Sequence, residues 1–327
     1  MTPISKTRQN PFTHPILLCA MALLCCALWG SASPAIKIGY ELLAVEGVPS
    51  TLLFAGVRFT AAGILTVAIY SLARRRLLVP KRQNMPRVLT VSLFQTVIQY
   101  IFFYIGLANT TSVKGTIASG SSAFFCVLIA SLIFRQEKLS VKKIVACILG
   151  FAGILTVNLN GLTLTLNVLG DGFVILSTVS YAFSSVLMKR FSKYEDPVVI
   201  SGYQFIIGGS FMAILGLCLG GTLYLGDPVG VLLLLYLALL SAVAYALWGL
   251  LLQHNPVSRV TIFSFTTPVF GTLLSMLLLP GQSGVKPLNL IITLVLVCCG
   301  ILLLNYQPKG ASVKAPPTPE EKETDHV

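Results

Sequence analysis

The side chains in this chain with the most chemical potential lie inside apolar runs. Gln95, Gln99 and Tyr100 fall in one such run, Tyr245 and Trp248 in another, and Trp29 in the middle of a third. A carboxamide in hydrocarbon needs partners for both its donors and its acceptor, so it is retained only where something polar meets it. On a regular helix Gln95 and Gln99, four apart, share one face. Hydroxyls recur beside them: Ser33, Ser119, Ser122, Ser185 and Thr267, with Tyr181 at the position that matches Trp29 in a second copy of the pattern. These twelve residues are the candidate contacts to a small-molecule substrate. For each single Ser or Thr a second role stays open, since small residues let membrane helices approach and hydroxyls bond back to their own helix.

Arg58 is the one ionisable residue deep in a run. It lies roughly 12 Å along a helix from the nearer end. It can snorkel outward, bond interior carbonyls, or meet an anionic group of a substrate; its counterpart in the second copy, Gln204, is neutral.

Enzyme chemistry finds no inventory. The sequence contains no HExxH, no pair of run-embedded Asp residues and no Ser with a run-embedded His. The Asp of Gly170-Asp171-Gly172 sits at a run end and reads as a turn. The eight cysteines show no CxxC spacing and no loop framework, so they are expected as buried thiols, with no metal or cofactor. Proton-coupled carriers commonly use embedded Asp, Glu or His; here coupling is expected not to run through a buried carboxylate.

These residues must be positioned by helices in lipid. The chain is 55% hydrophobic and 10% charged, with mean hydropathy +0.85, against roughly 25% charged in soluble domains. Ten runs near the ~20 residues a bilayer needs fall at about 15–36, 50–73, 87–107, 112–134, 141–158, 169–189, 197–221, 229–252, 258–280 and 287–306. The fifth and tenth are almost purely aliphatic with small residues, and read as packing helices or as the seam of a homodimer. The net charge of +12 does not point to nucleic acid, because Arg74–Arg76, Lys81, Arg82, Lys142 and Lys143 sit between runs. With the N-terminus placed in the cytoplasm, 19 of 23 Lys and Arg fall on cytoplasmic segments and three (Lys37, Lys114, Lys286) outside. That bias places both termini in the cytoplasm. The first run is too long for a signal peptide, and the tail 307–327 is too polar to fold.

The second half repeats the first. Gly153–Asn158 (GILTVN) returns as Gly300–Asn305 (GILLLN), Lys114–Ser119 as Arg259–Ser264, and Gly56–Phe59 as Gly202–Phe205, at spacings of 147, 145 and 146. Five crossings per copy force the copies to lie inverted, as in secondary transporters. The expected layout is a segment 1–14, repeat one over 15–158, repeat two over 159–306, and the tail. Pro34 and Pro268 are expected to interrupt their helices.

Five marks in this order resemble the EamA family of the drug/metabolite transporter superfamily: Trp29-Gly30 with Pro34, the Arg58-Phe59 pair, Ser119–Ser122, Glu137–Ser140, and Gly150 with Gly153. The resemblance implies an all-α membrane protein of ten transmembrane helices in two inverted five-helix repeats, a central cavity, and export of small metabolites. The run Pro280–Val285 departs from it, lacking the acidic residue usual after the fourth helix of repeat two. The resemblance leaves the substrate open among amino acids, nucleobases, sugars and drugs. Export of amino acids or related compounds is the leading expectation. Against it stand a multidrug, nucleobase or sugar-type permease of the same fold, and a membrane receptor that transports nothing.

Overall fold

A computed structural model describes residues 11–159, 167–278 and 287–305. The expected tail 307–327, most of segment 1–14 and the unusual run at Pro280–Val285 lie outside the described residues. Ten helical spans account for the fold: α1 Pro15–Leu42, α2 Gly47–Ala73, α3 Arg82–Ala108, α4 Lys114–Ile133, α5 Val141–Asn158, α6 Val168–Phe191, α7 Pro197–Cys218, α8 Pro228–His254, α9 beginning at Val257 and ending at Leu278, and α10 Pro287–Asn305. Nine of them are long and apolar enough among the described residues to cross a membrane; α5 has 18 residues.

The packing is nearly its own image under exchange of the repeats. Helix α2 lies along its counterpart α7, and α5 along its counterpart α10. Helix α1 packs on α8 and α9, as α6 packs on α3 and α4. The two self-paired contacts give the relative direction. Along α2–α7, Leu53 meets Gly216, Gly56 meets Ala213, Thr60 meets Gly209 and Gly63 meets Ile206, so one sequence rises as the other falls. Along α5–α10, Gly153 meets Val297, while Gly150 meets Gly300. Equivalent helices thus run antiparallel, and the repeats are inverted.

Glycine sets the α2–α7 approach. Lipid gives helices no hydrophobic reason to associate, so close van der Waals packing must do so. A Cβ on Gly56 would lie 2.2 Å from the Ala213 backbone nitrogen, which no side-chain movement relieves.

Three local expectations are corrected. Pro34 does not break α1, which continues to Leu42, six residues beyond the expected end; the helical turns on either side carry the chain past the one bond that Pro34 cannot make. The breaks fall instead in the two fourth helices. Helix α4 is interrupted at Ser121, and α9 tightens over Ile262–Thr266, with Pro268 in the first turn after it. With the 145-residue offset these breaks coincide. Finally, Cys25, Cys26, Cys126 and Cys147 are buried, but Cys218, Cys298 and Cys299 are exposed. They lie on outward faces of apolar helices, where a thiol is compatible with hydrocarbon.

The end of the bundle rich in Lys and Arg, here termed the basic end, is knitted across the repeats. Lys189 at the end of α6 donates to the Leu252 carbonyl (3.0 Å) and to that of Asn255 at the end of α8. Glu137, after α4, accepts from the Ser258 N–H (3.1 Å) and hydroxyl at the start of α9, and from Lys143 (2.7 Å). Beneath these lies a fully buried core that includes Cys26, Cys126, Met188, Leu252, Val257 and Phe263. Here the symmetry fails: α6 packs on α8, but the mirrored pair, α1 and α3, share at most a marginal contact.

Candidate functional site

Midway through the bundle four aromatic rings close a circuit about the axis relating the repeats. Phe59 of α2 stacks on its counterpart Phe205 of α7, with centroids 5.0 Å apart and planes 7° apart. Phe59 meets Tyr100 of α3 at 4.4 Å, and Phe205 meets Tyr245 of α8 at 4.8 Å. The Tyr100 and Tyr245 hydroxyls close the circuit at 2.9 Å. Trp29 of α1 stands edge-on to Tyr245 (5.2 Å) and to Trp248 (4.9 Å). Offset and edge-to-face rings at these distances attract, so the centre is built from rigid bodies.

Around them polar atoms are buried without a protein partner. They are Trp29 Nε1, Trp248 Nε1, Gln95 Oε1, Gln99 Oε1, Thr267 Oγ1, Gln204 Nε2, and Arg58 Nε and Nη1. Each such group costs on the order of 1–3 kcal/mol if nothing meets it. The eight atoms belong to seven residues, six of which are candidates from sequence alone: Trp29, Arg58, Gln95, Gln99, Trp248 and Thr267.

Arg58 and Gln204 occupy equivalent positions but differ in surroundings. Gln204 Oε1 accepts from Thr96 Oγ1 at 2.5 Å. Arg58, 5% exposed, sets its guanidinium carbon 4.3 Å from the Phe59 ring centre. The phenols of Tyr40, Tyr100 and Tyr104 lie within its electrostatic reach.

The other candidates separate. Gln95 is buried on a wide turn spanning Leu93–Ile98, whereas Gln99 begins the regular helix after it and is half-buried. Bonding from i to i+5 in that turn removes the shared face expected of residues four apart. Ser119 and Ser122 are half-buried and flank the Ser121 break. Ser33 is exposed one helical turn past Trp29, its oxygen 4.0 Å from where a Cβ on Gly271 would stand. Tyr181 is half-buried against the basic-end core. Ser185 is fully buried and donates to the Tyr181 carbonyl at 3.0 Å, so its hydroxyl is spent within its own helix.

The twelve candidate contacts do not include Phe59, Phe205, Gln204, Tyr40 or Tyr104. A signal for the first three existed: Gly56-Val-Arg-Phe59 and Gly202-Tyr-Gln-Phe205 recur in register, and a large ring repeated beside a small-residue helix contact has to be buried between the copies. Two surface clefts, one beside Arg75 and Arg76, the other between Leu93 and Phe211, do not touch these residues.

The EamA-like transporter family matches residues 16–159 and 168–306, one match per repeat. The chain is 27% identical over 323 residues to the uncharacterized transporter YvbV of Bacillus subtilis, covering 94% of this chain and 97% of that one. It is 25% identical over 256 residues to an uncharacterized transporter of Archaeoglobus fulgidus, covering 77% and 86%. A chloroplastic WAT1-related protein of Arabidopsis thaliana is 26% identical over 297 residues, covering 86% and 67%. A solved crystal structure superposes with a TM-score of 0.73 at 19% identity, covering 88% of this chain and 96% of its own, a likeness of fold.

Proposed function

We propose a transport cycle from one premise: the chain belongs to the EamA-like transporter family. It is a multi-pass membrane transporter. Its cargo, in this reading, is a small neutral or zwitterionic metabolite, an amino acid or related compound, exported across the cytoplasmic membrane by alternating access. The basic end faces the cytoplasm, following the Lys and Arg distribution, so both termini lie there.

The observation that carries the reading is the set of unpartnered polar atoms on α1, α3, α8 and α9 around the aromatic circuit. Their unmet hydrogen bonds are what a bound solute supplies. The inverted packing provides the motion. With α6 against α8 and Glu137 holding α9, the cytoplasmic side is shut, and the loose α1–α3 pair leaves the outer side free to part. Release of Lys189 and Glu137 with closure of α1 on α3 reverses access.

Efflux of labelled amino acids from proteoliposomes tests this. Gln99→Ala, Tyr100→Ala and Tyr245→Ala each lower efflux on the order of tenfold or more, as expected when a desolvated contact worth ~1.4 kcal/mol or more is lost, with protein levels unchanged. Wild-type rates in all three variants would remove the site from the cycle.

A further inference from the structure

We infer that Arg58 is a carboxylate-binding subsite, so that the transported compounds carry a compact anionic head on an apolar or aromatic body. The inference rests on the transport reading above and narrows its substrate class.

The first observation is an unbalanced charge. Arg58 is 95% withdrawn from solvent by its 5% exposure, and two of its nitrogens, Nε and Nη1, have no partner. Two ion pairs among the described residues, Lys114–Asp171 and Lys143–Glu137, lie near the helix ends. A buried guanidinium with no counter-ion is costly. The Phe59 face at 4.3 Å attracts the cation, but a ring face does not take up N–H groups that point outward in the guanidinium plane. Arginine cannot escape by deprotonation, as a lysine would. What fits is an anion: a carboxylate oxygen meeting the Nε–H or an Nη1 N–H makes a charge-assisted bond with either.

The second observation is the wall. Tyr100 packs on Phe59 at 4.4 Å and meets Tyr245 at 2.9 Å, and its hydroxyl lies within reach of Arg58. The anion's hydrocarbon part then lies against the rings of Tyr100, Tyr245 and Trp29. The mirrored half has Gln204, already engaged by Thr96, so the site holds one charged pole and one neutral pole. A single carboxylate leaves it electrically balanced; a dianion does not.

The test uses the full chain in lipid nanodiscs with a pair of probes matched in shape, benzoate and benzamide, binding being read by tryptophan fluorescence at pH 7. Benzoate binds at least about tenfold more tightly than benzamide in the native protein, the margin of one charge-assisted pair. Arg58→Gln, which installs the residue of the mirrored position, removes that margin while leaving benzamide affinity within about threefold, which also reports that the variant is folded. Arg58→Lys keeps part of the margin. Should Arg58→Gln misfold, the native benzoate-to-benzamide ratio still decides. Equal affinity for the two probes, no benzoate binding in the native protein, or an undiminished preference in Arg58→Gln overturns the inference. Efflux separates this from the transport reading: carboxylate solutes moving at native rates through Arg58→Gln leave transport standing and refute the anion site. Arg58-dependent benzoate binding with no flux of any solute does the reverse.

Discussion

The two repeats share their scaffold and diverge in their charges. Phe59 and Phe205 stack on one another, Tyr100 and Tyr245 bond to one another, and α2 and α7 cross through matched glycines. Arg58 and Gln204 occupy the same place in the pattern with different chemistry, and so do the ends: Lys189 is bonded to two carbonyls of α8, while its counterpart Lys37 stands exposed. Geometry must be symmetric for either face to open around one site. Recognition need not be: in the proposed cycle a solute with distinct ends meets each repeat with a different group.

The strongest way to break this comparison is at the glycine crossing. A Cβ on Gly56 meets backbone at 2.2 Å, whereas one on its counterpart Gly202 meets the Val67 methyl at 2.7 Å, which can rotate away. Gly56→Ala therefore lowers the thermal stability of the purified protein markedly, by about 1–3 kcal/mol as overpacking does, and Gly202→Ala by clearly less. Equal losses would mean that the crossing is more compliant than its contacts indicate.

The ends come next. Lys189→Ala removes charged donors from the carbonyl ends of α8, worth about 1.5–3 kcal/mol as a charge-assisted bond, and raises thiol labelling of a cysteine placed at Val257. Lys37→Ala leaves that labelling at its native level. Between the phenols the expected difference is nil: Tyr100→Phe and Tyr245→Phe cost the same, about 1 kcal/mol, and the double variant costs no more than either, since they share one bond. A double-mutant cycle by thermal unfolding reads this.

The smallest effect is acid-dependent. Between α6 and α7, Glu195 is partly buried, which raises its pKa. Hydrogen bonds from Asn84, the Lys81 N–H and the Asp196 N–H, with the Lys81 charge, outweigh burial and hold it below 4.5. A lowered carboxylate stabilises the fold above its unfolded value and loses that contribution as pH falls through the folded one. Docking of the α2–α3 loop on this segment is thus unaffected by pH down to about 5 and weakens below 4.5, and Glu195→Gln removes the dependence. Limited proteolysis near Arg76 across pH follows it.

The helices and their inversion were legible because apolar length, a 145–147 residue repeat and an odd number of crossings are sequence properties. The unpartnered polar atoms of Trp29, Gln99 and Trp248 were legible as candidates because polar groups in hydrocarbon must be explained. The aromatic circuit was not, since Phe59 and Phe205 look like ordinary apolar residues until α2 and α7 are seen to cross at them. Nor was the fate of Ser185, whose hydroxyl turns inward to its own helix. Pro34 misled for a related reason: a proline frees one carbonyl, but the flanking turns of a 28-residue helix decide whether it breaks. The separation of Gln95 from Gln99 depends on a wide turn that no residue in Leu93–Ile98 announces.

Paired spin-label distances in nanodiscs test alternating access at the central site most directly, with one pair at Arg190 and Pro256 across the basic end and the other at Lys37 and Ala108 across the opposite end. With Lys189→Ala as the perturbation, the first distance lengthens and the second shortens. Two distances that rise together, or that both stay fixed, contradict it.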